Sequence, residues 1–201
     1  MTKADWMYDS PELLAYYQTE WGKPEHDDQR LFELLCMELY QAGLSWRTVL
    51  NKRAAFRTAF KDYEIAKVAQ MTPTEIEQLL TNPAIIRNRA KLNATVNNAQ
   101  AVLALQKSAG SFDQYLWGFV DGQPIVNRPR TWADVPAKSE LSIQISKDLK
   151  RRGFQFVGPV VIYSFLQGAG VIDDHLCHSN FLVQSVALIL RMVYYGGIEF
   201  I

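Results

Sequence analysis

Only two cysteines, Cys36 and Cys177, occur in the 201 residues. That is too few for a disulfide framework, so the fold must rest on its core, and a reducing cytoplasm is the expected setting. The chain opens on Met1-Thr-Lys-Ala-Asp-Trp6, with no apolar leader. Net charge is also missing: 21 Lys and Arg balance 21 Asp and Glu. This excludes a general polyanion binder, but a local patch of Lys and Arg can still meet phosphates. Internal repeats, low-complexity tracts and Gly/Ser-rich linkers are absent. With 48% hydrophobic residues and 21% charged ones, disorder is excluded over most of the length. One domain is expected, spanning residues 1–180, with a tail from 181 to 201 packed against it. That tail is apolar but broken by Gln184 and Arg191. A membrane-spanning helix needs ~20 mainly apolar residues, so no membrane association is expected, and the protein is read as a monomer.

What is present is helical punctuation. Ser10-Pro11 opens one helix, and Asp27 or Asp28 caps a second running from about Leu31 to Gln41. Trp46 to Phe60 reads as one helix, Thr72 caps another, and a long helix follows Asn82-Pro83, from Ile85 to about Leu105. Shorter helices are expected at Phe112 to Val120, Ser139 to Arg151 and Gly158 to Ala169, with a loop over 121–136. Alternating extended stretches are few, which makes the fold all-α.

Three clusters carry candidate chemistry. Glu38 sits toward the apolar side of its helix, just before Gln41-Ala-Gly-Leu-Ser-Trp46. A buried carboxylate is costly unless it meets a donor or cation, so Glu38 is either a ligand-reading group or half of an ordinary interhelical ion pair. Trp6, Tyr16, Tyr17, Trp21 and Trp46 crowd large rings into the first quarter of the chain. Such rings stack on bases and attract cations, or simply fill a core. The segment Thr81-Asn-Pro-Ala-Ile-Ile-Arg-Asn-Arg-Ala-Lys91 is a tight apolar turn leading into a basic helix, able to hold a phosphate or to serve as a plain connection. Lys150, Arg151 and Arg152 complement a helix dipole and imply no site.

Together, Tyr16 with Glu20-Trp-Gly22, Leu31-Phe-Glu33, Glu38, Gln41 to Trp46, Ile85 to Arg89, Lys147 to Lys150, Gly153 to Gly158 and Tyr163-Ser-Phe165 resemble the 3-methyladenine DNA glycosylase I family. That family lies within the helix-hairpin-helix glycosylase superfamily. The resemblance implies a helical domain with a DNA-binding hairpin and a small subdomain formed by the two termini. It also implies monofunctional hydrolysis of the bond holding 3-methyladenine in double-stranded DNA, after the nucleotide is rotated into an aromatic pocket. Glu38, Tyr16 and Trp46 would read the base and Trp6 and Trp21 would line the pocket. Gly43, Leu44, Ile85, Ile86, Arg87, Asn88, Arg89 and Lys91 would meet DNA, with Leu44 as wedge. A catalytically silent lesion binder shares all these features; a protein-interaction domain fits the Glu38 cluster less well.

The family usually joins its termini through zinc. At the ligand positions this chain has Ala4, Tyr17, His175 and Ser179. A structural zinc site wants four ligands, so no metal and no other cofactor is expected, and the tail after Phe181 is expected to clasp the termini instead. Leu13 also departs from the family, where an aromatic is often found.

Overall fold

In a computed structural model the chain is described over residues 3–177, with side chains from Trp6 onward. The tail 181–201, Ser179 and the expected clasp lie outside the described residues. Within them the fold is helical, as expected. It comprises α1 (Pro11–Thr19), α2 (Asp28–Gln41), α3 (Trp46–Leu50), α4 (Arg53–Ala59), α5 (Ile65–Ala69), α6 (Pro73–Leu79), α7 (Arg89–Ala109), α8 (Phe112–Trp117), α9 (Glu140–Arg151) and α10 (Pro159–Gly168). None of the described helices is long and apolar enough to cross a membrane.

The caps follow from local chemistry. Ser10 Oγ accepts from the Leu13 amide, and the Asp27 carboxylate accepts from Arg30 N. Thr72 and Glu75 form a reciprocal capping box at α6. The α2 helix is buried on every side from Leu31 to Tyr40 and packs against α3, α7, α8 and α10. A helix buried all round is a core element, and Glu38 travels into the core with it.

Three expectations need correction. Trp46 to Phe60 is two helices, broken at Asn51 and Lys52, where Lys52 has φ −99° and ψ 1°. The break turns α4 so that Phe56 stacks on Tyr40 at 4.0 Å while Arg53 is buried beside Glu33. The helix expected from Ile85 starts only at Arg89, because the Asn88 side chain caps the Lys91 amide and leaves Ile85 to Arg87 in the connecting turn. The loop over 121–136 holds a two-residue strand, β1 (Ile125–Val126), and a 3-10 turn at Trp132–Asp134. β1 pairs in parallel with β2 (Ile172–Asp173).

There are two hydrophobic clusters. The larger unites α2, α4, α5, α7, α8, α9 and α10. The smaller joins Met7, Tyr16, Tyr17, Trp21, Trp132 and Leu176, so residues near both ends of the described chain share one apolar cluster. Between the clusters runs a network of charges. Glu33, only 3% exposed, accepts from Arg53 Nε at 2.8 Å and Arg57 Nε at 2.6 Å, and also pairs with Arg30. Arg53 reaches on to Glu20 just past α1, with Nη1 2.9 Å from Oε2. The network locks α1, α2 and α4 together.

Burial alone would raise the Glu33 carboxyl, but its bonds to Arg57 and Arg53 outweigh this and hold it below its ordinary 4.5. Its contribution to stability is therefore present above that value and fades as pH falls through the lowered one. Glu33→Ala strands a buried guanidinium and is expected to cost about 3–5 kcal/mol in urea unfolding at pH 7. A loss below 1 kcal/mol would show that the network is no stronger than a surface pair.

Candidate functional site

Glu38 stands one turn before the end of α2 and is 6% exposed. No hydrogen bond or ion pair reaches its carboxylate from any described residue. The ordinary ion-pair reading therefore does not hold. Burial without compensation pushes the carboxyl up from 4.5 to about 8. Two further buried polar atoms, Tyr16 Oη and Trp46 Nε1, also lack partners. Buried polar groups in folded proteins are nearly always satisfied, so three orphans in one neighbourhood mark a place shaped for something that arrives later.

Tyr16 comes from the middle of α1, and Trp46 is the first residue of α3, whose start is capped by Ser45. Their ring centroids lie 5.4 Å apart with planes tilted by 49°. Trp6 meets Tyr16 at 6.4 Å and Trp21 at 6.0 Å, so the five residues expected at the pocket are brought together. The sequence reading missed two others. Trp132 packs against Trp6, Tyr17 and Trp21 at centroid distances of 6.3, 6.1 and 5.9 Å, and its Nε1 is buried without a partner. A large ring inside a polar loop had to be buried somewhere, and that was the available signal. Gly168 ends α10, and a Cβ built there would lie 3.4 Å from Tyr16 Oη and 3.9 Å from Glu38 Oε1. It borders a cleft lined also by Thr19, Glu20, Arg30 and Leu34. Leu13 is buried in the core.

Around the end of α2, Ala42, Gly43, Leu44 and Ser45 are all exposed; Leu44 is an apolar side chain 41% open to solvent. Gly43 has φ +81°, a conformation that favours glycine and sharpens the turn. In the expected hairpin, Ile85 is buried, Ile86 half-buried and Arg87 exposed. Asn88 is the cap of α7, and Arg89 pairs with Glu77 on the surface. Lys91 differs from its expected role as a surface phosphate contact. It is 7% exposed, and its ammonium donates to the carbonyls of Tyr40 at 2.9 Å and Ala42 at 2.6 Å. Arg151 and Arg152 both pair with Asp148, whose carboxyl is lowered to about 2, first by its bond to Arg152. The shallow cleft beside them contains none of the expected site residues.

The positions that would hold zinc do not fit it. Tyr17 stacks on Trp21 at 5.3 Å and packs against the His175 ring at 4.7 Å. His175 Nδ1 is 2.6 Å from Asp173 Oδ1, and Nε2 is 3.3 Å from the Tyr17 carbonyl, so both ring nitrogens face protein oxygens. Alanine at position 4 has no donor to offer. Among the described residues no three of His, Cys, Asp or Glu gather in a metal-holding group.

The raised Glu38 carboxyl has a consequence for stability. Below pH 4.5 the group is neutral in both folded and unfolded chains; between 4.5 and about 8 only the unfolded chain ionises, so stability drains away as pH rises through that window. Glu38→Gln removes the titration. The variant is expected to melt above the wild type, by a margin that grows from pH 5 to pH 8 in calorimetry. A margin independent of pH would mean that Glu38 is compensated in the folded protein.

The sequence profile of the methyladenine glycosylase family matches residues 6–182. DNA-3-methyladenine glycosylase of Haemophilus influenzae is 46% identical over 175 residues, covering 87% of this chain and 95% of the relative. DNA-3-methyladenine glycosylase 1 of Escherichia coli is 41% identical over 176 residues, covering 88% and 94%. Among solved structures, 3-methyladenine DNA glycosylase I from Staphylococcus aureus superposes with a TM-score of 0.83 at 44% identity, covering 85% of this chain and 90% of that one. A second, of a variant 3-methyladenine DNA glycosylase I in complex with 3-methyladenine, gives 0.84 at 42%, covering 89% and 97%. With its helical fold and relatives matched over nearly their whole length, this chain belongs to the methyladenine glycosylase family.

Proposed function

We propose that this protein is a monofunctional N-glycosylase that hydrolyses the glycosidic bond of 3-methyladenine in alkylated double-stranded DNA. The observation that carries the reading is Glu38, a buried carboxylate with no partner, set beside Tyr16 and Trp46. A purine methylated at N3 is cationic, and its glycosidic bond is already weak. The protein therefore needs recognition more than a strong acid or nucleophile, and neither a catalytic nucleophile nor a Schiff-base lysine is part of the reading.

In the closed pocket Glu38 holds a proton at neutral pH. A cationic base beside it favours the ionised carboxylate, so one positive charge replaces another as the proton leaves. Glu38 then accepts hydrogen bonds from the base edge, while electron-rich rings face the delocalised charge. Neutral adenine drives no such exchange. A ring held between two others needs about 7 Å between them, twice the ~3.4 Å stacking rise. Tyr16 and Trp46 stand closer than that, so a base stacking between them must part them. Trp46 follows directly on the exposed Gly43-Leu44 turn, where Leu44 fills the space left by the extruded nucleotide. Exposed Arg87 and the turn before α7 meet the phosphate backbone. The reading includes no metal, supported by the contacts of Tyr17 and His175. It also includes a monomer, and a cytoplasmic setting supported by the low cysteine content.

Chromatography of bases released from alkylated DNA is expected to show 3-methyladenine from the wild type and almost none from Glu38→Ala at unchanged fold. Lesion binding without release would make the protein a silent binder, and equal release by both would remove Glu38 from the site. Gly168→Ala places a methyl group against Tyr16 Oη and Glu38 without touching the backbone. It is expected to weaken binding of free 3-methyladenine by roughly tenfold, the lower end of the cost of overfilling a packed site. Unchanged affinity in a fluorescence titration would place the base elsewhere.

A further inference from the structure

Two lysines link the two exposed turns of the site, and neither has its ammonium committed to a carboxylate. Lys91 lies on the first turn of α7, immediately after the hairpin, and donates backwards to the Tyr40 and Ala42 carbonyls at the end of α2. These are among the carbonyls that a helix end leaves without partners, and the amide dipoles there favour a cation. Lys52 lies at the junction of α3 and α4, after the Gly43-Leu44 turn, and donates forwards to the carbonyls of Pro83 at 3.2 Å and Ala84 at 2.9 Å. Each turn is thus held by a lysine from the segment that follows the other: Lys91 in α7 after the hairpin, and Lys52 at the α3–α4 junction after the Ala42–Ser45 turn. Asn82 and Asn88 stiffen the hairpin from within, through bonds to Ala84 N and Lys91 N.

We propose that Lys91 and Lys52 are positioning residues that make the Ala42–Ser45 turn and the 81–88 hairpin one rigid reader of duplex DNA. The grip of the hairpin on the phosphate backbone then sets where Leu44 enters the base stack. The inference rests on the glycosylase reading, because it concerns how that reaction gains its extruded base. Hydrogen bonds from a charged group are among the stronger ones, and four of them, those of Lys91 wholly or partly buried and those of Lys52 exposed, tie the two short turns to each other. The geometry also separates this role from the expectation that Lys91 contacts phosphate. A lysine contacting phosphate raises the salt sensitivity of DNA binding, whereas one held inside the protein does not.

The test uses Lys91→Met and Lys52→Met in the full chain. Each is read by single-turnover release of 3-methyladenine from duplex and from single-stranded DNA of one sequence, and by fluorescence titration with free 3-methyladenine. For Lys91→Met we expect the duplex rate to fall by about tenfold, the order of one lost charge-assisted bond. The single-strand rate relative to wild type, the free-base affinity and the salt slope of duplex binding are expected to hold. Combining the two substitutions is expected to cost little more than the worse one alone, since either breaks the same unit. An undiminished duplex rate, an equal loss on both substrates, or a salt slope smaller by about 1 would overturn the proposal. If Lys91→Met fails to fold, the half-exposed Lys52→Met carries the same comparison. A wild type that releases no base from duplex DNA would instead overturn the glycosylase reading itself.

Discussion

An ionisable group kept in the core without a counter-charge is what this structure is arranged around. Glu38 is carried inward by α2, whose residues from Leu31 to Tyr40 are buried without a break. Its carboxylate finds no guanidinium, although three arginines lie close to the same helix. Arg30, Arg53 and Arg57 converge instead on Glu33, five residues earlier on the same helix. The two carboxylates therefore have opposite properties. Glu33 is lowered by its arginines and fixes α1, α2 and α4; Glu38 is raised by burial with no partner beside it. The same helix therefore carries one carboxylate that is satisfied and one that is not.

The rings near Glu38 pack in two different ways. Trp6, Trp21 and Trp132 meet one another mostly edge to face, an arrangement that packs rings firmly and leaves few of them free to move. Trp46 is different: it heads a short five-residue helix and follows a glycine in the left-handed region. Gly168, having no side chain, lets the end of α10 approach Tyr16 and Glu38 closely.

Tyr17 and His175, at two of the positions where the family resemblance implies zinc ligands, are engaged with protein groups. Tyr17 brings a ring where a ligand nitrogen would stand, and His175 turns its nitrogens to Asp173 and to the Tyr17 carbonyl. Asp173 is shared with Arg128 and lies on β2, so the late chain is fastened to the 125–128 segment by the same residues. Stacking, a short ion pair and a parallel pair of strands thus hold this region together.

By itself the sequence determined the helical class, the caps at Ser10, Asp27 and Thr72, and the identity of Glu38 with its rings, because these depend on local periodicity and on residue types that few other sites combine. It also gave the residues at the positions where the family resemblance implies zinc ligands, Ala4, Tyr17, His175 and Ser179, which is a matter of identity at named positions. Only the tertiary structure decided whether Glu38 was paired, since the sequence offers more than enough arginines and burial alone does not say which carboxylate they reach. The same holds for Lys91: its place in a basic run read as a surface charge, whereas packing of α7 against the end of α2 turned its ammonium inward. Trp132 and Gly168 entered the site from segments far along the chain, where a loop and a helix end carry no periodic signal. Which groups stand without partners is set by how helices pack in three dimensions, and no spacing along the chain encodes that directly.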